Sequence, residues 1–406
     1  MKNVLYISYD GMTDPLGQLQ VIPYLIGLAK QGYKITIISA EKSERYYKGK
    51  EIILNTLNKN NIRWNPIMYT KKPPVLSTLI DVYKLRNAVK NLMKNNVYDI
   101  VHCRSYISPL AGMLAVKRQK AKFIFDMRGF WADERVDGNI WSLKNPIFKL
   151  VYKFFKNKEK QYLENSNAII SLTENGKKEI LSWKNIHVKA EKITVIPCAA
   201  DFNHFNIPDE QQRKESREKL GINNNDIVLC YLGSLGTWYM VDEMVSFFKL
   251  LREKHANSKF LVISKDKLGN ELLKGLLHES VIQVSANRDE VPMFLASADI
   301  GISFIKPSFS KISSSPTKMG EMFAMGIPII VNSGVGDVAE ITDKFNAGFV
   351  INSFENDQFK EAINQIPSLL KFDRNSIRRE TSKMFNLESA IQKYFNIYEK
   401  LGTLKK

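Results

Sequence analysis

The chain lacks the features by which membrane-spanning, secreted and metal-binding proteins are usually recognised. No apolar run approaches the roughly 18 residues that a membrane-spanning helix needs. The apolar run before Asp10 is too short for a signal peptide. The 3 cysteines, Cys103, Cys198 and Cys230, lie far apart in the sequence, which is typical of a reducing compartment. We therefore expect a cytoplasmic protein.

Several catalytic signatures are absent as well. The sequence has no D-x-D motif and no His/Cys pair with ligand spacing, so we expect no tightly held metal and no cofactor. It has no P-loop and no G-x-S-x-G motif, which argues against P-loop hydrolases and common serine hydrolases. The loop after the first strand also lacks G-x-G-x-x-G, which argues against a plain dinucleotide site.

The net charge of +17 is the one unusual bulk property. It is compatible with nucleic acid, an anionic membrane surface or a phosphorylated ligand as partner. The basic residues are scattered, and no zinc-finger spacing or RNP-like strand accompanies them. We therefore expect no nucleic-acid partner and keep the other two.

Short β-branched runs alternate with helix-period stretches in two successive sets. The first set of predicted strands comprises Val4–Ser8, Lys34–Ser39, Ile62–Ile67, Asp99–His102, Lys122–Asp126, Ala168–Leu172 and Thr194–Ile196. The second comprises Ile227–Leu232, Lys259–Ser264, Val281–Val284, Ile300–Phe304, Ile327–Val331 and Gly348–Ile351. Continuous apolar strands separated by helices indicate parallel sheets covered on both faces. The sequence therefore predicts an α/β protein with two doubly wound, Rossmann-like domains.

The helix predicted over 146–164 is amphipathic. One face carries the basic residues Lys149, Lys153, Lys156 and Lys160. The opposite face carries Ile147, Leu150, Val151, Phe154 and Phe155. Such a helix either packs on its own sheet with the lysines in water, which we favour, or lies on anionic lipid. The two arrangements are compatible if the lysine face meets lipid.

The most informative stretch runs from Ser315 to Glu321. Ser315 is predicted to cap a helix whose first residue is Pro316. A helix start offers free N–H groups and a positive dipole end to an anion, with Thr317 in its first turn. Lys318 adds a full charge, and Glu321 follows at i+3 with a carboxylate that suits a diol. The alternative is an ordinary solvated ion pair.

In each set, a glycine-containing loop follows the first predicted strand. Gly17 begins a helix and would let the backbone approach a phosphate. Gly233 and Ser234 follow a buried strand and would cradle phosphate oxygens through backbone N–H groups. Each is also compatible with an ordinary turn.

The segment Asp126–Arg135 is unusually rich in charged and aromatic residues for a loop. The guanidinium of Arg128 suits a phosphate or carboxylate, and Trp131 suits a sugar ring. Asp133 lies in the same segment, and His102 and Arg104 end a neighbouring predicted strand. A surface ion-pair cluster is the alternative.

Taken together, these residues resemble the GT-B glycosyltransferases, specifically the retaining family-4 (group 1) type with a Ser-Pro-x-Lys-x-x-Glu motif. The resemblance covers nearly the whole chain. It rests on Tyr6–Ser8 with Gly17, Asp99–His102, Arg128-Gly129, Ile196–Asp201 with Phe205, Gly233–Leu235, Ser297–Gly301 and, most specifically, Ser315–Val331.

The resemblance implies two domains that face each other across a cleft. Residues 1–197 would bind the acceptor, residues 198–383 would bind a nucleotide-sugar donor, and the helix in 384–406 would pack back on the first domain. The implied donor-binding residues are Gly17, Gly233, Ser234, Ser315, Thr317, Lys318 and Glu321. The implied catalytic residues are Arg128, Lys318 and Glu321. The acceptor or sugar candidates are His102, Arg104, Trp131 and Asp133.

Three positions depart from the family pattern. Ser313 stands where the family carries a glutamate that contacts the donor sugar. The segment Gly236–Tyr239 lacks the usual Arg/Lys pair, so Lys318 is inferred to supply the charge for the diphosphate. Arg128 stands where many relatives carry a histidine.

The implied activity is sugar transfer with retention of configuration from a nucleotide-diphosphate sugar, UDP before GDP. The acceptor would be a hydroxyl of a lipid-linked or surface glycan in polysaccharide biosynthesis, with peripheral attachment to the inner face of the cell membrane. A nucleotide-sugar epimerase or hydrolase of the same fold, or a non-catalytic nucleotide-sugar binder, are the alternatives.

Overall fold

The computed structural model describes residues 2–403, which form two α/β units. The first unit comprises residues 2–197 and 387–403, and the second comprises residues 198–386. Each is built on one parallel sheet, with 7 strands in the first and 6 in the second. The predicted fold class, two Rossmann-like parallel-sheet domains, is confirmed. Among the described residues, no helix combines the length and apolar character needed to cross a membrane.

The first unit alternates strands and helices along the chain. Its strands are β1 (Asn3–Ser8), β2 (Lys34–Glu41), β3 (Arg63–Met68), β4 (Ile100–Arg104), β5 (Lys122–Asp126), β6 (Ala168–Ser171) and β7 (Ile193–Val195). Its helices before the second unit are α1 (Pro15–Gln20), α2 (Ile22–Lys30), α3 (Ser43–Lys59), α4 (Leu76–Asn95), α5 (Pro109–Gln119), α6 (Trp131–Asp137), α7 (Pro146–Asn165) and α8 (Glu174–Ser182). The strand order is β3-β2-β1-β4-β5-β6-β7.

This strand order assigns the helices to the two faces of the sheet. From β1 the chain first moves outward through β2 to β3, and then returns past β1 to β4, β5 and β6. Because crossovers between parallel strands are right-handed, a change of direction moves the connecting helices to the opposite face. The helices α4, α5 and α7 therefore share one face of the sheet.

The second unit repeats the pattern with shorter strands. Its strands are β8 (Ile227–Leu232), β9 (Ser258–Ile263), β10 (Val281–Val284), β11 (Ile300–Ser303), β12 (Ile329–Asn332) and β13 (Gly348–Ile351), in the order β10-β9-β8-β11-β12-β13. Its helices are α9 (Glu210–Lys219), α10 (Val241–Lys254), α11 (Val291–Leu295), α12 (Thr317–Ala324), α13 (Val338–Lys344), α14 (Asn356–Asn364), α15 (Ile366–Leu369) and α16 (Arg374–Phe385). Apolar clusters cover both faces of this sheet.

The last helix, α17 (Leu387–Thr403), belongs to the first unit. It packs against α2, where a Cβ added to Gly27 would lie 2.5 Å from Ile391. The rings of Tyr24 and Tyr394 lie 5.2 Å apart, centroid to centroid. This contact extends the core of the first unit on the face opposite to α4, α5 and α7.

Two predicted helices differ from the structure in informative ways. The helical periodicity of residues 18–31 predicts one helix there, whereas the structure has α1 and α2, because Val21 leaves helical geometry between them. On α7, part of the predicted packed face is open, since Ile147 and Leu150 are 58% and 68% exposed. Lys156 in turn faces inward, where it pairs with Asp133 and Glu159.

Helix α5 approaches its sheet unusually closely. A Cβ added to Gly112 would lie 2.3 Å from the Cys103 sulfur and 3.2 Å from Ile7 and Val101 side-chain carbons. Ala111 and Ala115 are also fully buried beneath the helix. Since protein interiors are packed without space for an added methyl group, small residues here set the depth of α5.

We expect Gly112→Ala to destabilise the protein by about 1–3 kcal/mol, because α5 must move off the sheet. Gly49→Ala in α3 is the matched control, since its added Cβ meets Thr13 at an ordinary 3.6 Å. There, better helix propensity should stabilise the protein by about 0.5–1 kcal/mol. Urea unfolding measures both. Equal effects of the two substitutions would contradict the close packing of α5.

Candidate active site

The carboxyl edge of the second sheet brings two polar segments together. One is the loop after β8, which begins at Gly233, and the other follows β11 and leads to α12. The strands β8 and β11 are direct neighbours, so both segments leave the sheet at the same edge. Ligands of open parallel sheets bind at this edge.

Backbone hydrogen bonds join these two segments. The N–H of Met240 donates to the Phe304 carbonyl at 3.0 Å, and that of Lys306 donates to the Trp238 carbonyl at 2.8 Å. Tyr239 and Ile305 form an antiparallel bridge between them. The loop that contains Gly233 and Ser234 is therefore fixed beside the segment that connects β11 to α12.

The glycine loop itself has a defined shape. Gly233 has φ +153°, and the Tyr231 hydroxyl lies beneath it and donates to the Ser234 carbonyl at 2.5 Å. The N–H of Leu235 donates to Asp266 at 2.9 Å. These bonds fix the predicted donor-binding residues Gly233 and Ser234 at the sheet edge.

A cation that sequence reasoning missed lies at this edge. Lys311, on a 3-10 helix (Phe309–Ser313), is only 6% exposed. Its Nζ lies 3.8 Å from the centroid of the Trp238 ring, a cation–π distance. The Lys311 carbonyl also accepts from the Gly336 N–H at 2.7 Å. The lysine thus links three segments that follow different strands.

The start of α12 differs from the prediction. Thr317 is its first residue and Pro316 takes the N-cap position, without a side-chain cap. The prediction that Ser315 caps the helix is wrong, because the Ser315 hydroxyl accepts from the Cys198 N–H at 3.1 Å instead. The first N–H groups of α12 therefore receive no side-chain cap.

Lys318 and Glu321 form the predicted pair on α12. The Lys318 Nζ lies 2.9 Å and 3.2 Å from the two Glu321 carboxylate oxygens. The Glu321 side chain is 5% exposed, whereas that of Lys318 is 35% exposed. Ser313 is buried nearby in sequence and donates to the Ser310 carbonyl at 3.1 Å. The pair thus places a partly exposed cation beside a buried carboxylate.

A second polar cluster lies at the carboxyl edge of the first sheet. Ser8, Arg104 and Asp126 end β1, β4 and β5, and they are register partners across the three strands. Asp126 is 1% exposed and Arg104 is 3% exposed. Arg128 follows β5 with φ +57°, a left-handed conformation that is uncommon for a residue with a side chain.

Three basic side chains surround the Asp126 carboxylate. Arg104 Nη1 lies 3.8 Å and His102 Nε2 3.6 Å from its Oδ2, and Arg128 Nη1 lies 3.9 Å from its Oδ1. Arg104 Nε donates to Asp10 at 3.1 Å. Burial by itself raises the pKa of Asp126, but Arg128 and His102 outweigh it, so the pKa lies below its ordinary value. Asp126 and Asp10 were not singled out as site residues from the sequence.

His102 is enclosed by aromatic residues. Its Nδ1 lies 2.8 Å from the Tyr398 hydroxyl, and the rings of Tyr6 and Tyr394 pack around it. Burial lowers the pKa of His102, in spite of the Asp126 carboxylate. The His102 side chain is 1% exposed and packs beneath the surface of the cluster. Its contact with an acceptor stays a prediction.

Gly17 packs against its own loop. It is the third residue of α1, and an added Cβ would lie 2.1 Å from the Gly11 carbonyl oxygen. The buried Glu41 carboxylate holds this loop by accepting from the Met12 N–H at 2.6 Å and the Thr13 hydroxyl at 2.5 Å. A donor contact of Gly17 stays a prediction.

The remaining candidates, Trp131 and Asp133, lie on α6. The Trp131 ring packs on Phe155 at 4.9 Å and Trp141 at 5.2 Å. Asp133 accepts from the Tyr152 hydroxyl at 2.7 Å and pairs with Lys156 at 2.8 Å. These contacts give both residues a structural role, and their role toward an acceptor stays a prediction.

Several solved structures share this fold along the whole chain. A sucrose-phosphate synthase from Thermosynechococcus elongatus is 14% identical with a TM-score of 0.72, covering 99% of each chain. HepE from Anabaena, in complex with UDP and glucose, is 14% identical with a TM-score of 0.67, covering 100% of each chain. The lipopolysaccharide outer core galactosyltransferase WaaB is 13% identical with a TM-score of 0.66, covering 98% of this chain and 99% of its own. These likenesses show the GT-B fold.

No curated protein matches the sequence significantly. Two family models do match. Residues 24–204 match Glycosyltransferase Family 4, and residues 212–382 match Glycosyl transferases group 1. Since the two models together span most of the chain, the protein belongs to the group 1 glycosyltransferases with a family-4 first domain.

Proposed function

We propose that the chain transfers a sugar, with retention of configuration, from a nucleotide-diphosphate sugar to a hydroxyl of a lipid-linked or surface glycan. The observation that carries the proposal is the pairing of Lys318 with Glu321 on the first turns of α12, at a sheet edge. A diphosphate needs positive charge and a ribose needs hydrogen-bond acceptors for its diol. The pair offers both groups on one helix.

The nucleotide end of the site is proposed to hold UDP in preference to GDP. HepE from Anabaena was solved with UDP and with UDP-glucose, which supports this choice. The diphosphate would lie at the uncapped start of α12, near Lys318 and the N–H groups of Ser315 and Thr317. When the nucleotide binds, the Glu321 carboxylate would accept hydrogen bonds from the ribose hydroxyls in place of those from Lys318.

The proposed chemistry follows from the charge on the leaving group. As the bond from the sugar C1 to the diphosphate oxygen breaks, negative charge develops on that oxygen, and Lys318 stabilises it. The acceptor oxygen bonds to C1 on the same face, and its proton passes to the departing phosphate oxygen. Ser313 has no carboxylate to act as a nucleophile, which supports this front-face route. The proposal includes no resident cofactor.

The acceptor end is proposed to lie near Arg128. Its guanidinium lies at the carboxyl edge of the first sheet, and a planar guanidinium suits an acceptor that carries an anionic group. WaaB acts in the lipopolysaccharide outer core by its description, which supports a surface glycan in polysaccharide biosynthesis. We propose that the transfer reaction takes place at the cytoplasmic face of the membrane.

A thermal-shift screen of nucleotides and nucleotide sugars is the first test. A ligand at 100-fold its dissociation constant stabilises its protein by about 2.7 kcal/mol, so a bound nucleotide is readily seen. We expect stabilisation by UDP or a UDP-sugar, and release of UDP only when a glycan acceptor is added. Donor turnover without acceptor would indicate a hydrolase or epimerase, and binding without turnover a non-catalytic binder.

We expect Lys318→Ala to lower the transfer rate by about 100-fold or more, because the charge on the leaving diphosphate loses its partner. The substitution should also destabilise the protein by about 1–3 kcal/mol, because the buried Glu321 carboxylate loses its partner, so rates are compared well below the unfolding temperature of the variant. Lys344→Ala, an exposed lysine on α13, is the control with the same loss of charge. Steady-state rates with a saturating donor measure the effect. A Lys318 variant with wild-type turnover would refute its role.

Glu321→Gln tests the ribose contact separately. We expect the wild-type protein to bind UDP about 10-fold more tightly than 2′-deoxy-UDP, because a carboxylate accepts strong hydrogen bonds from the diol. The variant should lose most of this preference. Calorimetric titration with both nucleotides gives the ratio, and an unchanged ratio would assign the diol to another residue.

Asp126→Asn should destabilise the protein by about 3 kcal/mol at neutral pH, because the guanidinium groups of Arg104 and Arg128 lose a buried counter-charge. The folded-state pKa of Asp126 is depressed. Its contribution is therefore complete above the ordinary aspartate pKa of about 3.9 and is lost as the pH falls below it. Urea unfolding of both proteins at several pH values should show the difference shrinking in acid. A pH-independent difference would contradict the ionic role.

A further inference from the structure

A groove of about 870 Å³ opens on the first unit, on the face that carries α4, α5 and α7. Its floor is α5, through Leu110, Met113 and Leu114. Its walls are formed by α4 and α7, with Trp131 and Trp141 at its inner side. The volume is that of a typical small-molecule site, yet none of the residues assigned to donor binding lines it.

The groove exists because α5 is recessed. Gly112, Ala111 and Ala115 let the helix lie deep against the sheet. The flanking helices α4 and α7 have 20 residues each, whereas α5 has 11. The short helix α5 therefore lies closer to the sheet, between the longer helices α4 and α7. The space above α5 follows from the packing of the fold.

The rim of the groove is apolar and open to solvent. On α4, Leu79 is 61% exposed. On α7, Leu150 is 68% and Phe154 46% exposed. A protein that stays free in water rarely places large apolar side chains of neighbouring helices around one opening, so this patch indicates an interaction surface.

Charge is graded along the groove. The side chains that line it include Arg86, Lys117 and Lys158 and no carboxylate. Arg86 and Lys117 follow the apolar lining residues of their helices, and Lys158 follows those of α7 except Tyr162. The three helices run in the same direction, because each connects successive parallel strands. The three cations therefore lie toward the same end of the groove.

We propose that this groove binds one hydrocarbon chain of an anionic membrane phospholipid, with the lipid phosphate at Arg86, Lys117 and Lys158. The apolar length and the cationic end match an amphiphile of that kind, and the exposed rim would enter the lipid layer. The absence of carboxylates from the lining disfavours a basic peptide or a second copy of this strongly basic chain. The inference rests on the proposed work at the membrane and adds the lipid and its site.

Tryptophan fluorescence gives a direct test, because two tryptophans line the groove. In the full chain, Phe in place of Trp64, Trp183 and Trp238 leaves Trp131 and Trp141 as the only reporters. We expect vesicles of phosphatidylcholine with phosphatidylglycerol brominated on its acyl chain to quench these reporters. Vesicles of brominated phosphatidylcholine alone should quench them weakly.

Two sets of variants in this background separate the chain site from general charge. Leu114→Gln should lose most of the quenching at equal amounts of vesicle-bound protein. The combined variant Arg86→Gln, Lys117→Gln, Lys158→Gln should bind the anionic vesicles on the order of 100-fold more weakly. Its matched control removes three exposed lysines of the second unit, Lys254, Lys360 and Lys371, and should bind nearly as the parent does.

Three results would overturn the groove proposal. These are binding to anionic vesicles without quenching, equal quenching by both lipids, and equal loss of binding in the two triple variants. Sugar transfer to a soluble acceptor is measured in parallel with the groove substitutions made in the otherwise unchanged chain, which keeps Trp238, and these variants should retain it. If quenching behaves as expected while no nucleotide sugar is turned over, the lipid site is supported and the proposed transferase function fails alone.

Discussion

The common direction of the strands decides where the chemistry of this protein lies. Parallel strands end together, so residues distant in sequence meet at one edge of each sheet. In the first unit this alignment brings Arg104 and Asp126 side by side on β4 and β5. In the second unit it brings the loop after β8 beside the segment that leads from β11 to α12. At each edge, basic side chains lie where the buried apolar strands end.

Burial gives similar charged groups different roles. Asp133 is satisfied by Tyr152 and Lys156, and it ties α6 to α7 as part of the scaffold. Asp126 has Arg104, Arg128 and His102 around it at 3.6–3.9 Å and accepts from the Tyr394 hydroxyl at 3.4 Å, so it balances buried charge at the sheet edge. The same kind of carboxylate therefore serves helix packing at one position and charge balance at the other.

The sequence predicted the fold class because apolar strands and helix periods repeat regularly along the chain. It also predicted the Lys318–Glu321 contact, which depends only on spacing within one helix. The misses concern long-range partners. The Ser315 hydroxyl bonds to Cys198, and Lys311 lies on Trp238. Nothing local in the sequence encodes these contacts, since they arise when separate loops leave adjacent strands.

The residues that determine the depth of the groove are not the residues that line it. The residues that give the groove its depth, Gly112 above all, face the sheet and touch nothing inside it. The volume available to an occupant is thus set from below, by side chains that a survey of lining residues would pass over. Relatives with a larger residue at this position should have a shallower groove even where every lining residue is the same, so capacity and surface chemistry are free to vary separately.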